Sequence, residues 1–386
     1  MMQTLFLTIT SSDESSTPTF TLVDASDKSS GYLANVYSSS ITLNHSSKPV
    51  QDHLPNNVLT IGNFDGVHRG HQAMIKQLHR MKEQHNVATS VVMTFEPQPR
   101  EYFANLKGDV SSAPPRLTNL IEKQAKLSEY GVDVMLIANF DEAFRSLTAM
   151  QFADLLKQLS VKGLVLGDDF RFGHDRTGDG EFLAKQGLPV TNLDTVTDHT
   201  LNETDDRISS TRIREALQAG KLAEANTLLG YDYAIQGEVV TGDQIGRTLD
   251  FPTANVTLNR IKPALHGVFT VDVVRLDDDG DVLTDGFHRN ADNNNQGLAG
   301  LRSNSLFGVA SIGTRPSIDG ASEWRLEVHF PKFKGDLYGD TLDVRFLHFL
   351  HGEKKYPNLE ALKAGIKNDV NEALIWLERV KSGDAV

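Results

Sequence analysis

Two histidines three residues apart, His68 and His71, sit in the run Gly62-Asn63-Phe64-Asp65-Gly66-Val67-His68-Arg69-Gly70-His71. Gly66 and Gly70 permit a tight path and a close approach of backbone to a ligand. Val58–Ile61 reads as a short buried strand, and Met74, Ile75, Leu78 and Met81 follow at helical spacing. The run therefore joins a strand to a helix start, whose free N–H donors and positive potential suit phosphate. Both imidazoles can then face one phosphate. A lone histidine would read as structural; a pair inside a glycine frame reads as a site. Zinc is the competing chemistry, but two histidines are too few and the chain has no Cys to complete a site. Neither the His-Glu-x-x-His spacing of metalloproteases nor a P-loop is present.

Two later segments could serve the same chemistry. Leu166-Gly167-Asp168-Asp169-Phe170-Arg171-Phe172-Gly173 follows a strand-like run, and Ser209-Ser210-Thr211-Arg212-Ile213-Arg214 opens a helix-like one. Ser210 and Thr211 can cap that helix and also donate to phosphate oxygens; a plain N-cap is the alternative. A separate set begins with Gly246-Arg247-Thr248-Leu249-Asp250-Phe251-Pro252-Thr253-Ala254-Asn255. Pro252 fixes a turn, and Thr253 and Asn255 present oxygens on one side. Such ligands beside a nucleotide suit Mg²⁺, while a turn capped by its own side chains is the competing reading. In RLEVHF, Leu326, Val328 and Phe330 fall on one strand face and Arg325, Glu327 and His329 on the other.

The elements that must position these groups change character along the chain. From Val58 to about Gly230, strand-like runs (VLTI, ATSVVMTF, VDVMLIANF, VKGLVLG, LPVTNLDTV) alternate with helical ones (LTNLIEKQAKLSEYG, LTAMQFADLLKQL, SSTRIREALQAG). That alternation predicts a parallel sheet covered on both faces, with ligands gathering beyond the strand carboxyl ends. After Gly230, YAIQGEVV, GVFTVDVVRL, LFGVASIG, RLEVHF and TLDVRFLHFL are strand-like, with turns between them. They predict a small antiparallel barrel or sandwich under the terminal helix NLEALKAGIKNDVNEALIWLERV. Residues 1–56 are Ser/Thr/Asn/Asp-rich and are expected to be poorly ordered to about residue 35, with an edge strand just after. The domains expected are 57–230 and 231–386, with a polar exposed insertion at about 277–304.

Length and composition fit this plan. The chain has 386 residues, 39% hydrophobic and 23% charged, which suits two or three domains and excludes wholesale disorder. Without Cys there is no disulfide framework, thiolate nucleophile or cysteine metal site. A net charge of -13 argues against a nonspecific nucleic-acid coat. No stretch reaches spanning length, and MMQTLFLTITSSDESS lacks a basic start, so a membrane or secretory role is not expected and a cytoplasmic one is.

The Gly62–His71 run resembles the H-x-G-H motif of the nucleotidyltransferase superfamily. With PRLTNLIEK, LGDDFRFG and SSTRIR in order, the first half resembles the adenylyltransferase module of bacterial bifunctional riboflavin kinase/FAD synthetases. GRTLDFPTAN, HGVFTVDV, FGVASIGTRP, RLEVHF and FLHGEKKY follow in the order of the riboflavin kinase module, so the resemblance spans about residues 57–380. It implies an α/β protein: a Rossmann-like nucleotidyltransferase domain, then a small antiparallel β-barrel with a terminal helix.

It also implies two activities, FMN from riboflavin and ATP, then FAD and pyrophosphate from FMN and ATP. Mg²⁺ would serve both. By that resemblance His68 and His71 stabilise charge on the α-phosphate, and Asp169 lies near the nucleotide. Ser210, Thr211 and Arg214 hold phosphates, and Asn63 and Asp65 shape the loop with Gly62, Gly66 and Gly70. Gly246 and Arg247 lie on the kinase ATP loop, Thr253 and Asn255 hold Mg²⁺, and Glu327 is the general base. The expected partners are riboflavin, FMN and ATP, with a homo-oligomer left open. Arg69, Asp250, Phe269, Ser317 and His351 depart from the family's usual residues, and the insertion is longer than usual. Two other readings are a kinase whose first domain is inactive or repurposed, and a flavin-binding regulator without catalysis.

Overall fold

The structure, a computed structural model, describes residues 2–10, 18–24, 54–198, 206–242, 251–283, 287, 301–316, 322–331 and 333–383. It forms two compact units, Met1–Pro114 with Lys123–Ser209 and Pro115–Glu122 with Ser210–Val386.

In chain order the first part contains β1 (Gln3–Thr10), β2 (Thr19–Asp24), β3 (Asn57–Ile61), α1 (Arg69–Gln84), β4 (Thr89–Glu96) and α2 (Pro99–Leu106). Then come α3 (Leu120–Glu129), β5 (Val134–Asn139), α4 (Glu142–Arg145), α5 (Ala149–Gln158), β6 (Val161–Gly167), α6 (Gly180–Lys185) and β7 (Val190–Leu193). Two short strands, β8 (Thr197–Asp198) and β9 (Asp206–Arg207), precede α7 (Ser210–Gln218) and α8 (Leu222–Leu229). Seven strands form one sheet in the order β2-β1-β5-β4-β3-β6-β7, parallel throughout except for β1 against β2. Strand β3 is buried along its whole length and β5 over all but its last residue, as strands of a parallel sheet covered on both faces must be. Helix α1 buries Ile75, Leu78 and Met81, three residues apart, as the apolar spacing predicts.

The connections run from β3 to β4 to β5 in one direction, and β6 then returns to the other side of β3. The order therefore reverses between β3 and β6, where a crevice opens beyond the strand carboxyl ends. The two histidines follow β3 and Asp169 follows β6, so both flank that point.

The N-terminus differs from expectation. Gln3–Thr10 is no loose extension: β1 pairs with β5 from Gln3 opposite Val134 to Leu7 opposite Ala138, and Leu5, Leu7 and Leu22 are fully buried. The Thr-rich composition reads as disorder, yet Thr is β-branched and suits strands. The edge strand expected after residue 35 lies outside the described residues. Leu7→Ala is expected to destabilise the first unit by about 2–5 kcal/mol. Denaturant unfolding checks this, and a change within about 0.5 kcal/mol, the surface range, would make β1 detachable after all.

The second unit is a closed antiparallel barrel in the order β10-β11-β14-β13-β12-β15. Its strands are β10 (Ala234–Val240), β11 (Thr253–Val256), β12 (Gly267–Leu276), β13 (Leu306–Pro316), β14 (Ser322–His329) and β15 (Thr341–His351), followed by α9 (Leu359–Ser382). Helix α9 starts at an Asn358 side-chain cap and ends at Gly383 in the left-handed region, with Val370, Ala373 and Leu377 buried. His351 is 2.8 Å from Asp369 of this helix.

The border between units also differs from the expected Gly230. Helices α7 and α8 belong to the second unit, as does the distant segment Pro115–Glu122. Arg260, its side chain fully buried, pairs with Glu122 and donates to the Leu117 carbonyl at 3.1 Å, while Tyr233 donates to that carbonyl at 3.0 Å. A fragment beginning at Tyr231 would leave Arg260 without either partner. It is expected to lose about 3–5 kcal/mol relative to the intact unit, read as a lowered unfolding midpoint. An unchanged midpoint would show that Arg260 finds other partners.

The 277–304 stretch is anchored more firmly than its polar composition suggests. Phe287 is buried against Phe333 and Phe330 at ring distances of 5.8 and 6.3 Å. Arg302 pairs with the fully buried Asp272 at 3.0 Å and with Asp343. Residues 288–300, between these anchors, lie outside the described set.

Candidate active sites on the sheet edge and the barrel

The turn from β3 into α1 is built from backbone that L-residues rarely adopt. Phe64 has φ 47°, Gly66 82° and Val67 36°, all in the left-handed region. For β-branched Val67 that conformation is strained, and it persists because Phe64 and Val67 are fully buried and the Val67 N–H donates to the Phe64 carbonyl at 3.2 Å. Asp65 is buried in the same turn. Held so, the chain delivers His68 in extended conformation at the cap of α1 and His71 in its first turn.

The two imidazoles stack with centroids 3.7 Å apart and an interplanar angle of 17°. Phe64 supports His71 from another side at 4.7 Å. A Cβ at Gly70 would lie 3.1 Å from the His68 ring, so glycine there leaves the ring its place. Burial, then the neighbouring His68 and Lys123, holds His71 well below the usual histidine range. It is therefore neutral near pH 7, with Nδ1 buried and accepting or donating no hydrogen bond among the described residues. A neutral imidazole at a helix N-terminus can donate to an arriving phosphate oxygen as negative charge develops there.

Asp169 lies on the exposed loop beyond β6, 2.9 Å from Arg207 of β9. Both groups are exposed, so the pair shapes the loop more than it stabilises it. Ser210, Thr211 and Arg214 open α7, in the second unit, and Arg214 Nε donates to the Pro115 carbonyl at 2.6 Å. The structure thus brings His68 and His71 into contact, sets Asp169 on the same sheet edge, and assigns the other three to the second unit.

Sequence reading passed over three supports of this site: Phe64 beneath His71, Thr94, and the buried Lys123. Phe64 and Lys123 stand inside quoted motifs, but only the fold shows what they touch. It also passed over an aromatic group at the carboxyl ends of β4 and β5. Phe95, Phe140 and Phe144 pack edge to face or tilted, Tyr102 leans on Phe140, and the Phe103 ring is 41% exposed.

On the barrel, Asn255 of β11 stands directly opposite Glu327 of β14, and Thr253 opposite His329. Thr253 and Asn255 are partly exposed while Ala254 and Val256 are buried, so the two oxygen-bearing side chains share a face. Leu326, Val328 and Phe330 are buried, as the alternation predicts, but His329 is buried too, its Nδ1 2.9 Å from the Pro252 carbonyl. A Cβ at Gly242 would collide with the Asn255 side-chain amide, so this glycine leaves room for it. Gly246 and Arg247 lie outside the described residues. Thr253 and Asn255 are hard oxygen donors on one face of β11, a pair that fits Mg²⁺ sharing its shell with nucleotide oxygens and water. No helix among the described residues is long and apolar enough to cross a membrane.

Comparison with known proteins matches both halves of the chain. The FAD synthetase family model matches residues 50–212, and the riboflavin kinase model matches residues 229–377. The bifunctional riboflavin kinase/FMN adenylyltransferase of Escherichia coli (strain K12) is 44% identical over 314 residues, 81% of this chain and 90% of that protein. Its counterpart in Pseudomonas fluorescens is 41% identical over 322 residues, covering 82% and 91%. A crystal structure from Streptococcus pneumoniae, described as a macrolide-efflux protein, superposes with TM-score 0.63 at 28% identity, covering 84% of this chain and 96% of that one. With both family models matched in order along a single chain, this protein belongs to the bifunctional riboflavin kinase/FMN adenylyltransferase family.

Proposed function

We propose that this chain divides its two reactions between the two sites described, adenylyl transfer at the β3–α1 turn and phosphoryl transfer at the β11–β14 face. The chain is a riboflavin kinase and FMN adenylyltransferase, making FMN from riboflavin and ATP and then FAD and pyrophosphate from FMN and ATP. The observation that carries the assignment is the stacked pair His68 and His71, held by a strained buried turn at the point where strand order reverses.

In the first reaction site, an FMN phosphate oxygen attacks the α-phosphorus of ATP, and the bond to the β-phosphate oxygen breaks to release pyrophosphate. No covalent enzyme group is needed, so catalysis rests on positioning and on charge stabilisation. His68 and His71 donate to α-phosphate oxygens as charge builds, with the N–H groups of α1 beside them. Asp169 orients the nucleotide. The exposed Phe103 ring offers the flavin a stacking face at the same sheet edge.

In the kinase site, Glu327 accepts the proton of the ribityl hydroxyl that attacks the γ-phosphorus of ATP, and ADP leaves. Thr253 and Asn255 would hold Mg²⁺, which when bound neutralises charge on the phosphates. The reading calls for a compartment supplied with ATP and riboflavin, the cytosol. Incubating the protein with riboflavin, ATP and Mg²⁺ should yield FMN first and FAD after it by flavin chromatography. With the metal chelated, neither should form. FMN accumulating with no FAD would leave a kinase whose first unit does something else.

A further inference from the structure

Lys123 is fully buried in the first unit, an expensive place for an ammonium unless its charge is used. Its Nζ donates to Thr94 Oγ1 at 3.1 Å. The Thr94 hydroxyl in turn donates to the Asn63 carbonyl at 3.1 Å. Asn63 begins the strained turn that presents His68 and His71, so the chain of bonds runs from a buried cation to the backbone of that turn. The Gly62 N–H also donates to the Met93 carbonyl at 3.1 Å, which fixes the turn to β4 next to Thr94. The charge of Lys123 reaches the histidines directly as well, since it is among the causes that keep His71 neutral.

We propose that Lys123 is a positioning residue for adenylyl transfer: through Thr94 it fixes the Asn63 carbonyl and the turn that aims His68 and His71. It also sets its ammonium group close enough to act on His71 at the phosphate end of the crevice. The inference rests on the histidine pair being the adenylyl-transfer site. A purely structural lysine would be replaceable by any side chain that fills its volume. A positioning lysine would not, because a bridging donor to Thr94 and a cation beside His71 are both required. The reaction builds charge at the α-phosphate, so a fixed cation and fixed donors act mainly on the transition state and on kcat.

The test compares Lys123→Met, Lys123→Arg, Thr94→Val and His71→Ala in full-length protein, measuring kcat and KM for ATP in FAD formation from supplied FMN. Denaturant unfolding of each variant, followed for the first unit, serves as the control of folding, and FMN formation from riboflavin reports the second unit. Lys123→Met is expected to lower kcat about 10²-fold, the cost of a misplaced catalytic geometry, with KM for ATP changed by less than about threefold. Thr94→Val, which keeps the shape but breaks the relay, should lower kcat about tenfold. Lys123→Arg should recover much of the loss, because it restores both a donor and a charge. Should Lys123→Met fail to fold, Thr94→Val decides. Wild-type kcat in the folded variants, or a loss confined to KM, overturns the proposal while an inactive His71→Ala upholds the site. An active His71→Ala would instead overturn the site reading itself.

Discussion

With His68 and His71 both replaced by Ala, riboflavin is expected to be converted to FMN at the normal rate and FAD formation to fall by at least about 10³-fold. That figure combines the loss of two preorganised donors, each worth about 10²–10³ where charge develops. The effects of the two are not additive, because the rings stack on each other and removing one frees the other to move. Kinase activity is spared because Thr253, Asn255 and Glu327 lie on a barrel with its own core. Flavin chromatography after incubation with riboflavin and Mg-ATP reads both activities at once. Loss of FMN formation in a folded double variant would mean that the two chemistries share a site.

Glu327→Gln should have the reciprocal effect. The substitution keeps size and hydrogen-bonding reach but removes basicity, so riboflavin phosphorylation should fall about 10²–10⁴-fold. Glu327 stands opposite Asn255 across β11 and β14, so the amide keeps its place beside Asn255 and the loss reports proton acceptance rather than collapse of the site. FAD formation from supplied FMN should persist. Near-normal phosphorylation would leave Glu327 as a partly exposed strand residue and nothing more.

What could be read from the sequence was what depends on neighbours along the chain. The strand-to-helix turn with its histidines, the spacing of Ile75, Leu78 and Met81, and the alternation of Leu326 and Val328 all express local periodicity, and the structure keeps them. The pairing of Asn255 with Glu327 needed the barrel register, because 71 intervening residues give no local hint of it. Lys123 could not be placed for the same reason. Its partner Thr94 lies 29 residues away on a different element.

Two features of the units differ from what the local sequence suggests. Thr-rich Gln3–Thr10 reads as a loose extension until the open edge of β5 supplies a partner. A boundary at Gly230 looks clean along the chain. Yet Arg260 draws its counter-charge from Glu122, 138 residues earlier, and no pattern in the Pro115–Glu122 segment marks it as part of the barrel unit. Two departures from local rules lie beside the histidine pair: φ 36° at Val67 and the burial of Lys123, which acts on His71.

The central claim, that one chain carries two chemically independent sites, is tested most directly by mixing two inactive halves. The His68→Ala/His71→Ala protein and the Glu327→Gln protein, each incubated alone with riboflavin and Mg-ATP, should make only FMN and almost no product, respectively. Combined in one vessel, they should convert riboflavin to FAD, the first releasing FMN and the second adenylylating it. A mixture that yields FMN but no FAD, with Glu327→Gln also inactive on supplied FMN, would contradict two independent sites.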